Sequence, residues 1–178
     1  MSKLLDNISK YLSFVLRHRP DDIGLVLDEH GYAVVDELLV KSISRFDNFD
    51  KSLLAEVVAD DKKGRYEYNE DFTKIRACQG HSIEVNLQLV NTEPPEFLYH
   101  GTSKKSYDLI KSSGIQKRNR HHVHLTDNSE TATIVGARHG KPIVITIPAK
   151  QMYDNGIEFY KSGNGVWLVD FVDVKFLG

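Results

Sequence analysis

With 178 residues, 40% of them hydrophobic and 27% charged, the chain can bury one good core or two small ones, and its composition excludes a disordered or fibrous protein. Its 23 Lys+Arg against 25 Asp+Glu give a formal net charge of −2, which excludes a strongly basic, general polyanion binder. A single cysteine, Cys78, rules out an intramolecular disulfide and suits a reducing, cytoplasmic setting. No apolar run approaches the roughly 18 residues of a membrane span, and the start, MSKLLDNISKYLSFVL, mixes charge into its apolar positions unlike a signal peptide.

In chain order, Leu4, Ile8, Leu12, Val15 and Leu16 recur at helical spacing over residues 3–17, and Pro20 stops that helix. Residues 23–32 alternate around Asp28-Glu29-His30-Gly31 and predict a short hairpin. A helix follows from Val35 through Ile43 with Asp36 as its N-cap, then another from Asp50 to Ala59. Arg65-Tyr66-Glu67-Tyr68 and the stretch from Phe72 to Ala77 read as two strands around Asn69-Glu70-Asp71. Helices followed by a hairpin predict a winged-helix-like lobe over residues 1–91, with Thr92-Glu93-Pro94-Pro95-Glu96 as linker.

The second half, residues 96–178, alternates short strands with helices. A strand at residues 96–100 leads to a helix over residues 104–113 closed by Gly114. A strand at residues 122–125 leads to a helix from Ser129 to Gly140, capped by the Asp127-Asn128-Ser129 cluster. Ile143 to Ile147 is a β-branched strand, and further strands are expected at residues 158–160, 166–169 and 174–176. The fold class expected is α+β.

Polar chemistry gathers between residues 96 and 126. Two histidine-bearing strands, with His100-Gly101-Thr102 in one and His122 and His124 in the other, bracket a helix and a cationic run of Lys117, Arg118 and Arg120. Gly101 would let a ligand approach the backbone, and Thr102 could bind a ribose hydroxyl. Three cationic clusters stand out: Arg17-His18-Arg19, Lys62-Lys63-Gly64-Arg65, and the run ending at His122. Converging, they would make a pocket for one phosphate. Each also has a plainer reading: cations at a helix C-terminus complement its dipole, and Lys62 to Arg65 can be a solvated turn. Arg76-Ala77-Cys78-Gln79-Gly80-His81-Ser82 packs arginine, glutamine and histidine at the end of an apolar strand. No nucleotide-binding glycine loop occurs, and His121-His122-x-His124 lacks the carboxylate or thiol that would complete a metal shell.

LSFVLRHRPDDIGL, KIRACQGHSIEV, LYHGT, RHHVHLT and NGVWL, in this order, resemble the RNA 2′-phosphotransferase family over nearly the whole chain. The resemblance implies a winged-helix RNA lobe, an ADP-ribosyltransferase lobe and an active site in the cleft between them. It implies NAD as a consumed co-substrate, no metal, RNA carrying a 2′-phosphate as partner, and a monomer. It implies attack of the 2′-phosphate on the nicotinamide ribose, then transesterification to 2′-hydroxyl RNA and ADP-ribose 1″,2″-cyclic phosphate.

The catalytic set it implies is Arg17, His18, Arg65 and Arg120. Forked guanidinium groups suit a phosphate dianion, and His18 a donor or acid–base role. The NAD set is His100, Gly101, Thr102, His124, Leu125, Thr126, Arg138 and Val166. His100 matches the first member of the transferase triad, His124 stands in the tyrosine's place and Val166 in the glutamate's. Arg138 either meets the pyrophosphate or only caps its helix. Arg19, Lys63, Arg76, Gln79 and His81 are the expected RNA contacts. Two other readings compete: an ADP-ribosyltransferase capping phosphorylated nucleic-acid ends, and a catalytically degenerate RNA-binding module.

Overall fold

A computed structural model describes residues 3–177. The chain is mixed α+β and divides into two units, Met1–Gln88 and Leu89–Gly178. Among the described residues no helix is long and apolar enough to cross a membrane.

The first unit opens with helix α1, Lys3–Arg17, whose Leu5, Ile8, Leu12, Val15 and Leu16 are buried. Each such burial contributes roughly 1.5–3 kcal/mol. The helix gives way to a short 3-10 turn, Pro20–Ile23, which takes up only Ile23 of the segment expected as a hairpin. What remains of the hairpin is a single bridge, Leu27 to Ala33. Its turn is held by the Asp28 carboxylate, which accepts from the backbone N–H groups of His30 and Tyr32 at 3.1 and 2.9 Å.

Strand β1, Ala33–Val34, runs into α2, Val35–Ser42, and α3 spans Lys51–Ala59. Asp36 does not cap α2: the cap position is Val34, with no side-chain bond, and Asp36 instead pairs with Lys51 at 2.7 Å. Asp50 does cap α3, accepting from Leu53 N–H at 2.8 Å. Strands β2, Tyr66–Tyr68, and β3, Lys74–Ala77, complete an antiparallel sheet in the order β1-β3-β2. One apolar cluster joins α1, α2, α3 and this sheet.

The second unit begins upstream of the expected linker. Asn91 bridges Tyr160, and Thr92 N–H donates to Phe159 C=O at 2.7 Å, so residues just before Pro94-Pro95 are docked onto a sheet. Strand β4, Leu98–Ser103, precedes α4, Lys104–Ser113, and β5 is Ile115–Gln116. Then come β6, Val123–Leu125, α5, Ser129–Ala137, and β7, Pro142–Ile147. A short helix that periodicity does not disclose, α6, Ala149–Asp154, precedes β8, Phe159–Lys161, β9, Trp167–Val169, and β10, Phe171–Val172. The segment expected as a final strand, Val174–Phe176, is a 3-10 turn capped by the Asp173 carboxylate. The strands pair as β4-β7, β6-β9-β8 and β10-β5.

Two features of this unit position chemistry. Tyr99 and Thr126 exchange backbone hydrogen bonds at 2.7 and 3.0 Å, which draws the end of β6 alongside β4. Helix α5, capped by Asn128 at 2.8 Å from Thr131 N–H, lies hard against β4. A Cβ on Gly101 would sit 1.7 Å from the Ala132 carbonyl oxygen, and one on Gly136 2.6 Å from that of Thr102.

Candidate active site

In the first unit the expected catalytic residues are tied to one another by the stretch after β3. Cys78 N–H donates to Arg65 C=O at 2.9 Å, and Ser82 N–H to Arg17 C=O at 3.0 Å. The Ser82 hydroxyl lies 2.9 Å from His18 Nδ1, fixing the imidazole orientation in either tautomer. The residues that looked unusual in sequence, Arg76 to Ser82, thus form a strap between the end of α1 and the start of β2. The Tyr66 hydroxyl reinforces it from the other side, lying 2.6 Å from Ser13 Oγ and donating to Ser9 C=O.

Arg65 is held by a carboxylate that sequence reasoning passed over. Asp61 accepts from Arg65 Nε at 3.0 Å, from Nη2 at 2.8 Å and from the Arg65 backbone N–H at 2.6 Å. Its side chain is 1% exposed, that of Arg65 20%. Burial pushes the Asp61 pKa up, but the Arg65 bonds outweigh it and the carboxyl titrates below its ordinary value. Burial likewise opposes the Arg65 charge, and the same bonds more than restore it. The spacing Asp61-x-x-x-Arg65 was the available signal, although a turn of this kind has no fixed geometry until it folds.

Two expected RNA contacts are structural instead. Arg76 donates to Glu67 at 2.6 Å and to His30 C=O at 3.0 Å, and lies over the Tyr32 ring at 4.4 Å. His81 is 1% exposed, so its ring is packed within the unit, not presented to a polymer. Arg19 is exposed and pairs with Asp22 at 3.0 Å; Lys63 is exposed and Gln79 half-buried.

Cys78 has no reactive character. Burial pushes its thiol pKa up to about 12, and Sγ–H donates to Gly64 C=O at 3.2 Å. Thiolate is the reacting species, so a thiol reagent such as DTNB should label it only under denaturing conditions. Rapid native labelling would contradict this packing.

In the second unit the two histidine strands form one hydrogen-bonded set. His100 Nδ1 lies 3.1 Å from the His124 carbonyl oxygen, so Nδ1 carries the proton and Nε2 is left as an acceptor. Burial lowers the His100 pKa, which keeps the ring neutral at pH 7. Arg120 Nη1 lies 2.6 Å from His124 Nδ1. A guanidinium only donates, so His124 accepts there and carries its proton on Nε2. Although Arg120 keeps much of its surface exposed, the atoms crowding it lower its pKa.

The other expected NAD residues are spread more widely. The space that Gly101 opens beside its Cα is filled by Ala132 of α5, which corrects the idea that a ligand uses it. The Thr102 side chain is buried. Leu125 is buried in β6, opposite Trp167, and Thr126 makes the backbone bridge to Tyr99. Arg138 is exposed at the C-terminal end of α5. Val166 sits in the turn before β9, its N–H and C=O both bonded to Ser162. Among the described residues no group of histidines, cysteines and carboxylates could hold a metal ion; His122 packs edge-on against Tyr160.

Comparison with known proteins identifies the family. Residues 3–171 match the family model described as RNA 2′-phosphotransferase, Tpt1 / KptA family. The chain is 50% identical over 171 residues, 96% of its length and 94% of the relative's, to a probable RNA 2′-phosphotransferase of Flavobacterium johnsoniae. It is 46% identical over 176 residues to proteins of the same description from Pseudomonas syringae pv. tomato and Escherichia coli O6:K15:H31, covering 98% of this chain and 94% and 96% of theirs. The chain belongs to the RNA 2′-phosphotransferase family.

Proposed function

We propose that the protein removes a 2′-phosphate from RNA with consumption of NAD, the first unit being a winged-helix RNA-binding lobe and the second an ADP-ribosyltransferase-like lobe. The observation that carries this reading is the Arg120–His124–His100 set. It ties a guanidinium suited to phosphate to a neutral imidazole whose free Nε2 suits a ribose hydroxyl. The polar groups left available fit NAD, with His100 on the nicotinamide ribose and the exposed Arg138 at the pyrophosphate.

In the first step a 2′-phosphate oxygen bonds to C1″ of the nicotinamide ribose as the bond to the nicotinamide nitrogen breaks. The transition state is oxocarbenium-like, so holding the ribose matters more than a strong base. In the second step the ribose 2″-hydroxyl attacks phosphorus, losing its proton, and the RNA 2′-oxygen leaves and gains one. ADP-ribose 1″,2″-cyclic phosphate and 2′-hydroxyl RNA result. Arg17, Arg65 and Arg120 stabilise the charge on the phosphorane. His18, oriented by Ser82, serves the proton transfers, and Arg19, Lys63 and Gln79 contact RNA backbone.

The test is incubation with NAD and a short RNA bearing one internal 2′-phosphate, followed by product analysis. Dephosphorylated RNA with the cyclic phosphate is expected. Arg120→Ala should lower kcat/KM on the order of 100-fold or more, about 2.7 kcal/mol. A stable ADP-ribosylated product would instead identify an end-capping transferase, and absence of NAD turnover a binding module.

A further inference from the structure

A groove of about 930 Å³ runs along the flank of α1 that carries Asn7, Lys10, Tyr11 and Phe14, beside Val15 of the buried stripe. Its floor is aromatic. Phe14 is 46% exposed, and Tyr11 meets Phe46 edge-on with ring centroids 5.2 Å apart. Tyr11 is anchored by its hydroxyl, 3.0 Å from Ser42 Oγ. Its flanks are cationic: Lys10 is exposed, and the exposed Arg45 lies 5.6 Å over the Tyr11 ring. The one carboxylate on the rim, Asp22, is neutralised by Arg19 at 3.0 Å.

Residues 10, 14 and 18 fall on one helix face at four-residue spacing, and the Phe14 and His18 rings are 6.5 Å apart. Phe14 therefore brings the groove within one helical turn of the residue assigned to the phosphate chemistry, roughly 12 Å of helix from Lys10 to His18. An aromatic floor, exposed at Phe14 and half-buried at Tyr11 and Phe46, with guanidinium and ammonium walls is the arrangement that holds unpaired bases by stacking while the cations follow the phosphates. A duplex, whose bases are stacked on one another, cannot use such a floor.

We infer that this groove binds the single-stranded RNA flanking the 2′-phosphorylated nucleotide, with bases stacked on Phe14, Tyr11 and Phe46 and backbone phosphates on Lys10 and Arg45. The inference rests on the reading of the chain as an enzyme acting on RNA. It assigns substrate choice, unpaired RNA over duplex, to a surface outside the reacting groups.

The test measures the Kd of the full chain for a fluorescently labelled single-stranded 12-mer RNA carrying one 2′-phosphate, across a salt series. In Lys10→Met/Arg45→Met, binding should weaken at least 10-fold at low salt. The slope of log K against log salt should flatten by roughly 1.4, the value for two lost phosphate contacts on a single strand. In Phe14→Ala, quenching of a 2-aminopurine placed next to the 2′-phosphate should be lost. Melting temperatures would confirm that these surface variants fold.

Unchanged affinity and slope in the double variant, or equal competition by a duplex of the same sequence, would overturn the inference. The outcomes separate from those of the enzyme reading. NAD-dependent turnover with unaltered variant binding sinks the groove alone, whereas loss of RNA binding in the variants of a protein that never turns over NAD sinks the enzyme reading alone.

Discussion

Gly101→Ala should lower the stability of the second unit by about 3 kcal/mol or more, above the usual cost of overpacking. The added Cβ would lie 1.7 Å from the carbonyl oxygen of Ala132 and 2.6 Å from its carbonyl carbon. Both are helix backbone, so no rotamer change relieves the clash and α5 must lift from β4. That displacement also disturbs the close approach of Gly136 to the Thr102 backbone, 2.6 Å for a Cβ placed there, and the strand that carries His100. For a unit of this size the loss corresponds to a fall in Tm on the order of 10–20 °C. Gly156→Ala is the control. Nothing lies within 4 Å of its Cβ, and only its φ of +84° opposes a side chain, at about 1 kcal/mol. Thermal melts of the two variants distinguish spatial from dihedral demand. A Gly101→Ala protein melting within a few degrees of the parent would mean that the β4–α5 contact is not as tight as described.

The boundary between what the sequence discloses and what it hides follows the range of the interactions. Helix α1 is legible because its apolar spacing is a local property, and the Gly114 stop and the Asn128 cap are equally local. Val174–Phe176 misleads because three alternating residues satisfy a strand and a 3-10 turn alike, and α6 is too short to show a period. The second unit begins before Pro94-Pro95 because pairing to β8, not proline content, decides where the chain docks.

The same division holds at the site. Cationic and histidine positions are visible as residue types, but their partners are not. Asp61, Ser82 and the His124 carbonyl enter through turn geometry and strand register. Arg76 and His81 carry the residue types of an RNA contact, yet folding commits the first to Glu67 and the Tyr32 ring and buries the second. Gly101 was legible as a point of close approach, though the approaching group is a helix.

On the proposed function, Asp61→Asn should reduce kcat/KM on 2′-phosphorylated RNA on the order of 100-fold, about 2.7 kcal/mol, although the Asp61 carboxylate is taken up by Arg65 and the Lys63 N–H. The carboxylate occupies Nε and Nη2 of Arg65 and also its backbone N–H. The guanidinium edge that includes Nη1 is the one the proposed function gives to the RNA phosphate. An asparagine amide offers one oxygen where two are used, and turns donors toward donors, so the guanidinium loses its fixed plane. Because Asp61 is a positioning residue, the loss should fall on phosphate-dependent steps while the KM for NAD stays near its parent value. Asp61→Glu should recover part of the activity.

Stability falls as well, since removing one partner of a buried pair strands the other, at up to about 3 kcal/mol. The pH dependence has a definite sign. The native carboxyl titrates below its ordinary value near 4, so this stabilisation is fully present above that pH and is lost as pH falls through the lowered native pKa. The difference in Tm between parent and Asp61→Asn should accordingly be constant from pH 5 to 7 and shrink in more acid solution. A variant with parental kcat/KM would show that Arg65 needs no partner to meet the phosphate, and a Tm difference that persists unchanged at low pH would show that the carboxylate charge is not what holds it.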